Sequence, residues 1–241
     1  MEIQKRHSLF QSVVLHLLPG VLATVAYLVM APVVMQKSYP ALLALLFAAG
    51  LVIVPFELGY LLLQKRRAKN EPVIGLREAL PNWQYIVFPL GMVIWAFLPS
   101  GALSVLDVYI AKAWFSWLPE WFFFLNVDQF SGFTREDLLT TFWIGLMING
   151  FVGPIVEELY FRGHLLPRLL GPRNWSPLIN ISLFSLYHFW SPWQFFSRIL
   201  WLMPWGYIVW RKKNFYLMLN AHCASNTLGW ILTWSLILAG K

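Results

Sequence analysis

Charge is what this sequence has least of. Only 12% of its 241 residues are Asp, Glu, Lys or Arg, about half the share a soluble domain carries. Cysteine is nearly absent: the single Cys223 excludes any internal disulfide and leaves the redox compartment unread. No internal repeat and no low-complexity tract is visible, and the lack of an inverted repeat counts against a transporter built from two mirrored halves. Cleavage signals are lacking too. The apolar run that follows the basic N-terminus continues to about Met35, longer than a signal core, and no small-residue cleavage site closes it.

What is present is apolar and aromatic. Hydrophobic residues make up 59% of the chain, with 14 Trp and 19 Phe, and the mean hydropathy is +0.60. These values point to an all-α, polytopic transmembrane helical bundle of about seven or eight spans, since lipid forces every backbone polar group to pair within its own segment. Seven apolar runs suit such spans: Ser8 to Met35, Pro40 to Leu63, Trp83 to about Val105, Leu138 to Phe161, the short Ser176 to Trp190, Phe195 to Trp210, and Phe215 to Leu238. Residues 1–135 read as N-terminal transmembrane helices with an outer loop, and residues 136–241 as the motif-bearing helices of the same integral bundle.

The net charge of +7 is no nucleic-acid signature, because the bases cluster where apolar runs end. Lys5 and Arg6, then Lys65, Arg66, Arg67, Lys69 and Arg77, then Arg162, Arg168 and Arg173, then Arg211, Lys212 and Lys213 all fall on one side of the expected membrane. Lys37, Lys112, Arg135, Arg198 and Lys241 fall elsewhere. That asymmetry predicts a cytoplasmic N-terminus in the inner membrane. The segment from Asp107 to Asp137 reads as an outer loop, with "WFSWLPEWFFF" as an interfacial aromatic stretch.

Against this background the adjacent Glu157 and Glu158 stand out, for they continue an uncharged run from Leu138 to Val156. An acid at membrane depth costs several kcal/mol unless it is paired or reaches water. Neighbours on a helix point about 100° apart, so the two carboxylates have different tasks. Glu158 and Arg162 are four residues apart, in register for an ion pair. Glu157 has no basic partner at helical spacing. Pro154 bends the helix just before it, and Gly150 and Gly153 admit a close neighbour.

Two other apolar runs bring polar groups. Asn180, Phe184 and His188 share one helix face, and His222 and Asn226 share another. A carboxylate and imidazoles can activate water, and an amide with a second imidazole can donate to an oxyanion. The same carboxylate and imidazole pair also matches a catalytic zinc shell with one open position. The residues alone leave both mechanisms open. They also leave open a reading in which Glu158 and Arg162 only fix helix packing.

These pieces resemble the CPBP family of CAAX-type and bacteriocin-processing intramembrane proteases, also described as type II CAAX prenyl endopeptidase-like. The resemblance rests on "EELYFR" (157–162), "FSLYH" (184–188) and "HCASN" (222–226), which match E-E-x-x-x-R, F-x-x-x-H and H-x-x-x-N in order. It implies hydrolysis of peptide bonds in peptide or protein substrates held in the lipid bilayer, with no nucleic-acid partner. It implies Glu157 as the base, His188 orienting the water, His222 and Asn226 stabilising the oxyanion, and Glu158, Arg162 and Phe184 as support. It makes no cofactor obligatory. A metalloprotease with zinc on Glu157, His188 and His222 and a metal-free glutamate mechanism are both implied. Substrate identity and oligomeric state are not legible. A non-enzymatic immunity or scaffold protein and, further off, a proton-coupled transporter are the competing classes.

Other polar residues read as peripheral. Glu57 is expected to snorkel or to pair with an inner arginine, His16 to make an interhelical bond, and His164 to sit at the interface. Cys223 points away from His222 and reads as a small buried residue.

Overall fold

The computed structural model describes residues 6–68, 72–124, 126–169 and 174–240. Lys5, Lys69, Arg173 and Lys241, used above for orientation, lie outside the described residues. The chain folds as helices: α1 (Leu9–Gln36), α2 (Ala41–Arg67), α3 (Gln84–Phe97), α4 (Ser100–Trp114), α5 (Arg135–Arg168), α6 (Ser176–Tyr187), α7 (Phe195–Lys212) and α8 (Tyr216–Ala239). Among the described residues there is no strand, and one isolated antiparallel bridge joins Arg77 to Asn214.

By length and apolarity α1, α2 and α5 qualify as membrane crossings, and α3 with α4 qualifies as a fourth if the bent pair is one span. Their outer faces carry large apolar side chains, such as Phe10, Val29, Ile86, Leu98 and Val105. That is the surface of an integral membrane protein, with lipid as the solvent of the exposed apolar face. The expected third run does not continue straight to Val105. It breaks at Pro99 with a 50° bend, because proline removes a helical hydrogen bond and crowds the preceding turn. The expected outer loop begins later than Asp107, since α4 runs on to Trp114 before short turns at Glu120–Phe122 and Val127–Gly132. Helix α6 is only 12 residues, short of the ~20 that a crossing needs.

Prolines and wide turns in the helices release carbonyls that other helices take up. Pro19 cannot donate to Leu15, and the Leu15 carbonyl accepts the Tyr160 hydroxyl of α5 at 2.8 Å. Next to it, Gly20 gives the backbone of Tyr187 room: a Cβ there would sit 2.0 Å from the Tyr187 carbonyl oxygen. Helix α5 contains two π-helical stretches, Ile148–Val152 and Glu158–Leu165, a feature found often at functional sites. Pro154 follows the first of them, and the Asn149 and Gly150 carbonyls are met by Asn226 and Thr227 of α8 at 3.0 and 3.4 Å.

The basic clusters gather at one end of the bundle. The His7 amide donates to the Arg168 carbonyl at 3.0 Å, and the Gly75 amide to Gly163 at 2.7 Å. The Glu78 amide reaches Lys213, Phe215 reaches Leu76, and Lys213 forms an ion pair with Glu78 at 2.9 Å. Residues 72–78 thus strap the end of α5 to the turn between α7 and α8.

Candidate active site

Three helices bring the polar groups of the three motifs to one place, and each does so for a local reason. Helix α8 docks on α5 through small residues. A Cβ on Gly145 would fall 1.9 Å from the Trp230 ring, and one on Gly150 would fall 3.0 Å from the Thr227 hydroxyl. The Trp230 indole donates to the Phe142 carbonyl at 3.0 Å. With Asn226 also tied to α5, His222 one turn earlier is carried to the double glutamate. Helix α6 ends at Tyr187, and His188 caps it. The His188 ring turns back to the Phe184 carbonyl, with Nδ1 2.8 Å away.

The hydrogen bonds fix the roles of the ring nitrogens. A carbonyl can only accept, so His188 Nδ1 carries a proton, and neutral His188 keeps its lone pair on Nε2. The His222 Nδ1 is 3.0 Å from Glu158 Oε1, while its Nε2 stands 4.0 Å from Glu157 Oε2. The imidazole therefore lies between the two carboxylates, one at each nitrogen. Adjacent carboxylates that point apart can still meet one ring from its two edges. The Arg162 Nη1 is 3.3 Å from the same Glu158 oxygen, and both side chains are fully buried. The Arg162 guanidinium also lies 4.0 Å from the Phe184 ring centroid, a cation–π contact of the kind that suits a desolvated arginine.

A cavity of about 490 Å³ opens on this group and is bordered by Glu157, His188, His222, Asn226 and Phe184. Its remaining wall is mostly apolar, from α2, α3, α7 and α8. Glu158 and Arg162 lie behind it, within the protein. Arg198, which sequence reading left aside, also borders the cavity and donates to the Ser191 hydroxyl at 2.8 Å and to Gln194 at 3.0 Å. Asn180, expected on the same face as His188, does not face the cavity. It donates instead to His16 Nε2 at 3.0 Å and to the Phe161 carbonyl at 3.1 Å, so the interhelical role expected for His16 is met.

Glu57 departs from its expectation. It neither snorkels nor contacts an arginine: it is fully buried, and its Oε1 meets the Tyr187 hydroxyl at 3.2 Å. The same hydroxyl is 3.3 Å from Glu157 Oε1. Tyr187 was missed because it lies next to the stronger signal of His188, and Glu57 was set aside because it lies in a different apolar run. An acid with no basic residue at helical spacing was the clue available. His164 lies beside His7 and Arg168 at the basic end, its side chain buried and its Nδ1 2.9 Å from the Val73 carbonyl.

Among the described residues, no three His, Cys, Asp or Glu side chains are grouped as ligands of one metal ion. Glu157, His188 and His222 border one cavity, yet they are not drawn together as a zinc shell requires.

The family model described as type II CAAX prenyl endopeptidase Rce1-like matches residues 139–228. The chain carries an Rce1-like domain. That domain spans all three motif segments, from near the start of α5 to Leu228 in α8. It gives the chain the coarse character of a CAAX-type endopeptidase, a protease acting on peptide or protein substrates at the membrane. No curated protein and no solved structure gave a significant match. Helices α1 to α4 lie outside the Rce1-like domain, although α1 and α2 supply the Leu15 carbonyl, His16 and Glu57 to its polar interior.

Proposed function

We propose that this chain is an intramembrane endopeptidase that hydrolyses peptide bonds of membrane-associated substrates, with Glu157 as general base. The observation that carries this reading is the meeting of Glu157, His188, His222 and Asn226 on one largely apolar cavity. Such a cavity can hold an extended peptide and exclude all but a few waters, which strengthens each electrostatic contact.

The chemistry follows from the atoms available. A water between Glu157 and His188 gives one hydrogen bond to His188 Nε2 and its proton to Glu157. The hydroxide forms a C–O bond to the scissile carbonyl, and the carbonyl oxygen becomes an oxyanion. The Asn226 amide keeps one N–H on the Asn149 carbonyl and has a second for that oxygen. With Nδ1–H given to Glu158, His222 donates through Nε2 when its ring carries a second proton. The C–N bond then breaks, and the proton held by Glu157 passes to the leaving amine. Glu158, Arg162 and Phe184 hold the His222 ring and the turn behind it.

The test uses the purified full chain in detergent. Its probes are an internally quenched farnesylated peptide ending in a CAAX sequence and its unprenylated twin. The wild type is expected to cleave at least one. Glu157→Gln and His222→Ala are expected to lower the rate by roughly 10²–10⁴-fold while the melting temperature is kept. Cleavage retained in Glu157→Gln removes the base from the scheme. A chelator such as 1,10-phenanthroline is expected to leave the rate intact, and a loss that zinc restores overturns the metal-free water step.

A further inference from the structure

The Tyr187 hydroxyl touches two carboxylates and has one proton. Its oxygen is 3.2 Å from Glu57 Oε1 and 3.3 Å from Glu157 Oε1. An ionised carboxylate only accepts, so one hydroxyl cannot satisfy two of them at once. One contact needs a second proton, carried by one of the two acids.

The surroundings decide which acid carries it. Glu157 borders the cavity, and its Oε2 faces His222 Nε2. Glu57 is absent from the cavity wall and fully buried, and its Oε2 has no hydrogen-bond partner among the described residues. The charged and titratable groups around it are Tyr187, Glu157, Glu158 and Arg162, with Tyr160 beyond. Arg162 makes its ion pair with Glu158, and the Tyr160 hydroxyl is given to the Leu15 carbonyl. Burying a carboxylate without a basic contact at this depth is costly, and burying the neutral acid is far less so.

We infer that Glu57 is a neutral, proton-bearing positioning residue of the active site. It donates to the Tyr187 oxygen, so that the Tyr187 hydroxyl donates to Glu157 Oε1. This rests on Glu157 being the base. The consequence is a division of labour within the Glu157 carboxylate. Oε1 is held by Tyr187, and Oε2 is left toward His222 and the water. A residue of α2, outside the Rce1-like domain, thereby selects which oxygen takes the proton.

Three single substitutions, one double variant and one spectrum test the inference. Glu57→Gln keeps an N–H donor for Tyr187, Glu57→Leu removes it, and Tyr187→Phe removes the bridge. Glu57→Leu and Tyr187→Phe are expected to lower kcat roughly 10–100-fold with KM little changed. Their double variant should be no worse than either alone, and Glu57→Gln should stay within a few-fold of wild type. The infrared difference between wild type and Glu57→Gln at neutral pH should show the carbonyl band of a protonated acid. That spectrum needs no substrate, so it tests the proton on Glu57 even if the peptides above are not cleaved and the proteolytic reading itself fails. Glu57→Gln as impaired as Glu57→Leu, or a difference spectrum carrying carboxylate bands instead, overturns the inference. If Glu57→Leu does not fold, Glu57→Gln and the spectrum still decide it.

Discussion

At the residue scale the site depends on an arginine that never meets the cavity. Arg162 is buried beside Glu158, its Nη1 3.3 Å from the carboxylate and its guanidinium against Phe184. Glu158 in turn accepts from His222. Removing the arginine leaves a buried carboxylate with only an imidazole to face, and breaking such a pair costs about 3–5 kcal/mol. Arg162→Ala is therefore expected to lower the melting temperature in detergent steeply. Arg162→Met combined with Glu158→Leu should recover much of that loss while remaining inactive. An Arg162→Ala protein as stable as wild type would mean that water already compensates Glu158. The pairing of Glu158 with Arg162 was legible in the sequence, because spacing of four residues on one helix states it directly. The bridge through Tyr187 was not, since a hydroxyl among aromatic neighbours carries no periodic signal.

At the element scale the fold was legible where apolar runs are long and illegible where the helix changes its winding. The runs beginning near Leu9 and Ala41 and the long α5 are close to their expected places. The break at Pro99 and the π-helical stretches of α5 were not expected, because a proline in a membrane helix can kink, end or merely loosen it. Which of these happens depends on partners elsewhere in the chain. Here Asn226 and Thr227 supply the side-chain groups that meet Asn149 and Gly150. The docking of α8 on α5 through Gly145 follows from the same region, and it is open to direct test. A methyl there collides with the Trp230 ring. Gly145→Ala is expected to lower both melting temperature and cleavage rate by shifting α8, and with it His222 and Asn226. Gly59→Ala, where nothing lies within 4 Å of the added carbon, serves as the matched control. Equal behaviour of the two variants, read by thermal melting and peptide cleavage, would show that α8 is not held at that glycine.

At the scale of the whole molecule, orientation is the first quantity to measure. His7, Leu76, Glu78, Gly163, Arg168 and Lys213 meet at one end of the bundle, and that end collects the basic clusters. The charge asymmetry predicts that it faces the cytoplasm. A phosphatase active only outside the cytoplasm, inserted after Lys65, should be silent. The same reporter inserted after Trp117 should be active, since the bent pair α3 and α4 lies between the two points. The reverse pattern would invert the orientation.

The hydrogen bonds across the expected division at residue 135 also bear on how small this protein can be made. Excision of residues 139–228 alone would take Tyr160, Asn180, Tyr187 and Gly163 away from Leu15, His16, Glu57 and Gly75. The Tyr160 hydroxyl would then lose its acceptor, Asn180 and Tyr187 would each keep only one of two partners, and the stretch that defines the kinship would lack the scaffold that keeps it dry. A minimal engineered version has to bring along the first helical hairpin and the strap, although both lie outside the Rce1-like match.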